Sequence, residues 1–235
     1  MTIGMKDIFG KAILDYYNGN YTEDIVTSTN ISDEDVLPLP YLFREYKDMP
    51  NLEKKALELA KGSVLDTGCG TGSHSLYLEK RGLSVKAIDI SKGAIDVANQ
   101  RGVKNAQLLN FIDETEPFDT ILLLMNGTGI FQTLAQSPYF LNHLKTLLNP
   151  GGQILLDSSD IQYMYETDDG GMWIDINSDY YGELDYTIKY KGMESTLPWL
   201  YLDFDNLRYA CKLVGLKCEL VLEGEHFDYL ARITV

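Results

Sequence analysis

The stretch VLDTGCGTG, residues 64–72, decides the fold. An apolar pair, Val64 and Leu65, runs into an acid, Asp66, and then into glycines at 68, 70 and 72. Glycine has no Cβ, so such a run lets the chain leave a strand in a tight turn, lets a ligand lie against bare backbone, and lets the next helix pack closely. The start of that helix supplies unpaired N–H groups and partial positive charge. The spacing alone is unspecific, because any strand-to-helix turn can use two glycines. Two neighbours sharpen it. Asp66 puts negative charge where a pyrophosphate binder would not want it, and Ser73 stands where the dinucleotide fingerprint G-x-G-x-x-G/A expects glycine or alanine. An acid beside the loop suits a ligand that carries an amine.

Downstream, VKAIDIS (85–91) ends a second strand at Asp89, roughly twenty residues past the loop. A carboxylate at that tip can accept both hydroxyls of a ribose, whereas a phosphorylated ribose would call for arginine. The plainer alternative is a strand-end aspartate that starts the turn toward Ser91. The rhythm continues with a Ser91-capped helix closed by Gly102, a short strand AQLLN, and the unbroken apolar run FDTILLLM, which suits a strand covered on both faces. Then come SPYFLNHLKTLL, with Ser137 as N-cap and Pro138 at the first helical position, and NPGGQILLD as turn plus strand. Upstream, NLEKKALELAKG has Asn51 as N-cap, a stripe of Leu52, Ala56 and Leu59, and a closing Gly62. Strand and helix alternate, and right-handed crossovers then give an α/β fold with a doubly wound parallel sheet.

Outside this core, DIFGKAILDYY carries Ile8, Ile13, Tyr16 and Tyr17 at helical spacing, and STNISDEDVLPLPYLF reads as polar, proline-broken chain, together an N-terminal cap. From Ser158 to about Leu202 the rhythm departs. In ELDYTIKYKG, apolar and aromatic side chains alternate with polar ones, as in a half-buried antiparallel strand, with WIDIN or its neighbours as hairpin partner. The core resumes with the helix DFDNLRYACKLVG and the strands LKCELVLE and HFDYLARITV.

The chain has 235 residues, of which 45% are hydrophobic, enough for one substantial core. Its 20 basic and 35 acidic side chains give −15, and the basic ones are scattered and interleaved with Glu, so no stripe is offered to a phosphate backbone. Nucleic acid is therefore a poor partner. Cys69, Cys211 and Cys218 are odd in number and lack paired close spacing, so neither a disulfide framework nor a metal site follows, and a reducing, cytoplasmic setting is expected. No basic start precedes an apolar run, and no stretch reaches ~18 apolar residues, so neither export nor a membrane is indicated.

The runs VLDTGCGTG, AIDIS, FDTILLLMNG and LLNPGGQILLD, in that order, resemble the class I S-adenosylmethionine-dependent methyltransferases. The likeness is detailed over roughly residues 51 to 160 and looser through the C-terminal helix and strands. It implies one methyltransferase domain over 1–235, with a Rossmann-like, mostly parallel seven-stranded sheet whose last strand is antiparallel. Residues 1–50 would be a cap or lid, 51–157 the cofactor-binding core, 158–202 an inserted β element over the acceptor, and 203–235 the completion of the sheet. Asp66 and the loop Gly68, Cys69, Gly70 and Gly72 would hold the methionine portion of S-adenosylmethionine. Asp89, with Ile90 beside it, would hold the ribose, and the turn at Asn110 and Phe111 the adenine. Asn126 and Gly127 would flank the sulfonium. The family commonly has an acid where this chain has Asn110, whose amide can still accept from the adenine amine.

Methyl transfer needs in-line approach of a nucleophile, so a protein contributes chiefly by alignment in a dry pocket, with a base only where the acceptor must lose a proton. Strand ends nominate Asn126, Asp157 and Asp160 as acceptor-facing residues, although the two acids also suit turn caps. In LPLPYLFREY, Arg44 would bury the methionine carboxylate under a bidentate guanidinium, or else pair with Glu45 or Asp48 at the surface. His74, just inside the helix after the glycines, reads as a surface or helix-capping imidazole, with a pocket-facing ring as the alternative, and His143 as a polar-face residue. The tyrosines and tryptophans between Tyr163 and Tyr201, Trp173 included, suit the wall of a pocket for a flat or aromatic small molecule, plain packing, or a homodimer contact. The expected activity is methyl transfer to a small-molecule acceptor. A non-catalytic cofactor-binding module is the first alternative, and a nicotinamide-dependent oxidoreductase, disfavoured by Asp66 and Ser73, the second.

Overall fold

The computed structural model describes residues 7–166 and 179–235. In chain order the elements begin with α1 (Ile8–Tyr17), β1 (Ile25–Thr29), β2 (Ser32–Leu37), α2 (Leu39–Leu42), α3 (Asn51–Leu59), β3 (Ser63–Thr67), α4 (Ser73–Lys80) and β4 (Ser84–Asp89). They continue with α5 (Lys92–Arg101), β5 (Ala106–Leu108), β6 (Phe118–Leu123), α6 (Ser137–Thr146) and β7 (Leu148–Ser159). After these come β8 (Glu183–Tyr190), β9 (Met193–Leu200), α7 (Phe204–Leu213), β10 (Lys217–Glu223) and β11 (Asp228–Thr234).

Seven strands form one sheet in the order β10-β11-β7-β6-β3-β4-β5. The five from β3 to β7 are parallel, and β11 enters antiparallel to β7 with Leu156 opposite Ala231. The sheet is the mostly parallel, doubly wound one expected, with an antiparallel last strand. Its alternating side chains feed two cores. Ile121, Leu123, Ile154 and Leu156 point into the layer of α6 and α7, while Leu122, Leu155 and Val64 point into that of α3 and α4. Chain order reverses between β3 and β6, which opens a crevice at the carboxyl ends of these strands.

Two helix starts differ by one residue from expectation, since Pro50 and Gln136 hold the cap positions and Asn51 and Ser137 are already helical. The apolar stripe of α3 is also rotated. Leu52, Glu53, Ala56 and Leu57 are buried, and Leu59 is only half-buried.

The N-terminal region departs most from its sequence. The polar stretch after α1 forms β1 and β2, which join β8 and β9 in a second sheet of order β2-β1-β8-β9. No short-range pattern announces this, because β2 buries none of its residues and β1 finds its second partner, β8, far along the chain, with Thr27 opposite Ile188. Strand β8 makes its hairpin with β9 across Lys191 and Gly192, both left-handed as a tight two-residue hairpin turn requires. WIDIN and Trp173 lie outside the described residues. Helix α1 is bolted to α5: the Asp7 carboxylate accepts from Gly10 N (2.8 Å) and Gly93 N (2.9 Å), and a Cβ on Gly93 would overlap the Gly10 backbone.

Candidate cofactor and acceptor site

The loop from Gly68 to Gly72 crosses the end of β3 and delivers the chain into α4. The N–H groups of Gly68 and Cys69 donate to Ile88 O at the end of β4 (2.9 and 3.0 Å). Gly68 and Gly70 are left-handed, and a Cβ on either would meet no atom within 4 Å, so bare backbone faces open space above the strand ends. Gly72 serves another purpose: a Cβ there would lie 2.6 Å from Val103 Cγ2, so its absence lets α4 start against the α5 layer. Asp66 is buried and accepts from Ser75 Oγ at 2.5 Å. Burial, with Asp66 and Asp89 nearby, pushes the Cys69 thiol far up, which keeps it protonated.

Asp89 ends β4, and its carboxylate accepts from Gly70 N (2.9 Å) and Ser91 N (2.8 Å), tying the loop to the second strand. Desolvation pushes it up to about 6 against the pull of these donors. Ile90 and Leu108, 41% and 52% exposed, form an apolar lip here, Leu108 being the register partner of Asp89. Asn110 caps a short turn by accepting from Ile112 N (3.3 Å). The Phe111 ring turns inward against Phe140 and His143. The His143 ring meets Phe111 O at 2.9 Å.

Beyond β6 the chain takes two consecutive left-handed residues, Met125 and Asn126. Asp157, buried at the end of β7, holds this turn by accepting from Met125 N (3.0 Å) and Gly127 N (3.1 Å). Burial, with Glu53 adding its charge, pushes Asp157 up to about 6. The Asn126 amide is spent on scaffold: its Oδ1 accepts from Ser158 Oγ (2.9 Å), and its Nδ2 donates to Leu200 O (3.2 Å) at the end of β9. Beside this turn lies a cleft of about 270 Å³ lined by Tyr41, Glu53, Met125, Asn126, Asp157 and Asp228, among others. Asp160 stands apart from it. It accepts from Tyr181 OH (2.8 Å) and faces a separate groove with Asp203 and Phe227.

Arg44 is not at the surface. It is buried, and its partner is Glu53 (2.5 Å), not Glu45 or Asp48. His74 is buried as well and meets the other Glu53 oxygen at 2.7 Å. Glu53 was missed from sequence, yet a signal exists, since with Ala56, Leu57 and Ala60 it falls at i, i+3, i+4 and i+7 on the buried face of α3. An acid on that face has to be paired.

A crevice at the switch point of a doubly wound sheet, with open glycine backbone and an acid at the next strand tip, defines a nucleoside-binding enzyme fold. A family described as "Methyltransferase domain" matches residues 64–152. The crystal structure of an S-adenosylmethionine-dependent methyltransferase from Bacteroides fragilis, in complex with S-adenosylhomocysteine, is 44% identical, covers 98% of this chain and 95% of that one, and superposes with a TM-score of 0.91. An uncharacterized methyltransferase from Staphylococcus carnosus is 26% identical over 82% of this chain and 86% of its own. A malonyl-[acyl-carrier protein] O-methyltransferase from Serratia marcescens is 31% identical over 48% of this chain, and the match spans 44% of that relative's length. The chain belongs to the S-adenosylmethionine-dependent methyltransferases, and S-adenosylmethionine is its cofactor. Among the described residues no helix is long and apolar enough to cross a membrane.

Proposed function

We propose that the chain transfers the methyl group of S-adenosylmethionine to a small-molecule acceptor seated in the cleft beside Asn126 and Asp157. The cleft carries this reading: about 270 Å³, walled by Tyr41 of the N-terminal region and Glu53 of α3, it has room for a small molecule. A net charge of −15 adds to the case against nucleic acid. Tyr41 gives the wall one aromatic face, in keeping with a flat acceptor.

The open backbone of Gly68 and Gly70 and the apolar lip of Ile90 and Leu108 fit the cofactor. Asp66 and the loop with Cys69 and Gly72 take its methionine end, Asp89 and Ile90 its ribose, Asn110 and the Phe111 backbone its adenine. Asn126 and Gly127 flank the sulfur, and Arg44 reads the carboxylate. Nη1 and Nη2 each spend one N–H on Tyr41 O and Glu53, and the buried Nε–H, which has no acceptor, is the donor offered to that carboxylate. Bound S-adenosylmethionine supplies an electrophilic methyl carbon. Asp157 fixes the Met125–Gly127 turn that aligns the two reactants, and, ionised at neutral pH, it can take a proton from an acceptor at the cleft. The second sheet, β1, β2, β8 and β9, belongs to the cover over the acceptor side, and its outer surface is where a second copy would dock. Unpaired thiols at Cys69, Cys211 and Cys218 fit a reducing cytoplasm.

A methyl-label transfer screen over metabolite extracts, with protein and RNA fractions alongside, tests this reading. Label should appear in a metabolite, and label in RNA or protein instead would overturn it.

A further inference from the structure

Glu53 is 3% exposed, and a carboxylate so buried has to be matched by charge and hydrogen bonds. One oxygen takes Arg44 Nη2 and the other meets His74 Nε2. The residue thereby joins three parts of the molecule: the N-terminal region through Arg44, α3 on which it sits, and the first turn of α4 just past the glycine loop. Arg44 is further fixed by donating from Nη1 to Tyr41 O (2.8 Å) and by lying 4.0 Å over the Tyr41 ring. Its Nε–H, buried as well, has no acceptor. A buried cationic donor without an acceptor is costly, and on the reading above it is the donor offered to the carboxylate of the cofactor.

His74 is faced by Glu53 from α3, Asp66 from β3, Arg44 from the N-terminal region and Asp157 from β7. Burial and Arg44 work against its charge, but the bond to Glu53 and the nearby Asp66 outweigh them and raise the imidazole above its usual value. Glu53 is held low by His74 and Arg44 against its own burial. The ionised glutamate thus keeps a guanidinium and an imidazolium side by side at the N-terminal turn of α4, where the helix already favours an anion.

We propose that Glu53 is a positioning residue for the cofactor's carboxylate: it fixes Arg44 so that the unpartnered Nε–H meets that carboxylate, and it keeps His74 charged beside it. The proposal rests on the reading of Arg44 as a cofactor residue. Because the imidazolium is present below the raised value and lost as pH rises through it, the grip on the amino-acid end weakens toward alkaline pH. The nucleoside end does not share this dependence.

Calorimetric titration of the full chain with S-adenosylhomocysteine and with 5′-methylthioadenosine, which lacks the amino-acid end, separates the two ends. In the wild type, the ratio of the two affinities should fall as pH rises from ~6 to ~9. E53Q should lower S-adenosylhomocysteine affinity about tenfold or more, flatten the pH dependence of the ratio, and leave methylthioadenosine affinity unchanged. H74N, which has nothing to titrate in this range, should flatten it too. An E53Q protein with a wild-type ratio at every pH overturns the proposal, as does one that loses methylthioadenosine equally, which would mark damage to the fold. R44M distinguishes the underlying reading: if it leaves the ratio intact, Arg44 does not read the carboxylate. If it collapses the ratio while E53Q does not, Arg44 stands and the role of Glu53 falls.

Discussion

The two sheets of the molecule differ in how much apolar surface their strands bury. In the seven-stranded sheet, Ile121, Leu122 and Leu123 of β6 and Ile154, Leu155 and Leu156 of β7 are essentially inaccessible on both faces. Each such side chain contributes about 1.5–3 kcal/mol. In the four-stranded sheet β2 buries none of its residues, and a pair such as Thr187 and Thr196, whose hydroxyls meet at 2.8 Å, is exposed and contributes ~0.2–1 kcal/mol. The glycine loop and Asp89 stand at the strand ends of the more deeply buried sheet, while the four-stranded sheet keeps its buried side chains to a few positions such as Ile25, Tyr190 and Leu200.

The largest test of that contrast is within the loop itself. Gly72→Val places a branched side chain at a left-handed residue whose Cβ would sit 2.6 Å from Val103, and should lower stability by at least ~2 kcal/mol in urea unfolding. Gly70→Val has open space at its Cβ and should cost less stability but block the cofactor from the backbone. Equal unfolding midpoints for the two variants would refute the division of roles between these glycines. Asp89→Ala should weaken cofactor binding by ~1–3 kcal/mol with an unchanged circular dichroism spectrum, and an unaffected dissociation constant would defeat the ribose assignment. A smaller, graded effect should come from acid. Because burial pushes Asp89 up to about 6, its carboxylate is protonated and methylthioadenosine affinity falls as pH drops through that value, whereas Asp89→Asn should show no such step. The smallest effect belongs to the second sheet: Thr196→Ala should change stability by less than ~0.5 kcal/mol and leave cofactor affinity alone. A large loss there would mean that the cover and the core are one cooperative unit at the site.

This contrast also explains what could be read from the chain. From Ser63 to Ser159 most strands and helices announce themselves through a cap, a closing glycine or an apolar run, because their own side chains carry the burial pattern. Ser91 caps α5 and Gly102 closes it in the left-handed region, as their positions in the sequence imply. Strands β1 and β2 carry no such mark, since β1 takes its second partner from β8, far outside a local window, and β2, paired to β1 alone, buries none of its residues. The site divides the same way. Asp66, the glycines and Asp89 stand out because backbone and strand-end chemistry select them. Glu53 and His74 do not, since their roles depend on α3 crossing the start of α4. The expected acceptor-facing group proved divided, with Asn126 and Asp157 at the cleft and Asp160 in another groove, because β7 ends at Ser159 and the chain turns away.

The most direct measurement is a crystal structure of the full chain with S-adenosylhomocysteine. The ribose hydroxyls should lie within hydrogen-bond reach of the Asp89 carboxylate, with the homocysteine end running over Gly68 and Gly70 toward Asp66 and Arg44. A nucleoside bound anywhere else, with the space above Gly68 and Gly70 filled by the protein's own side chains, would contradict the account.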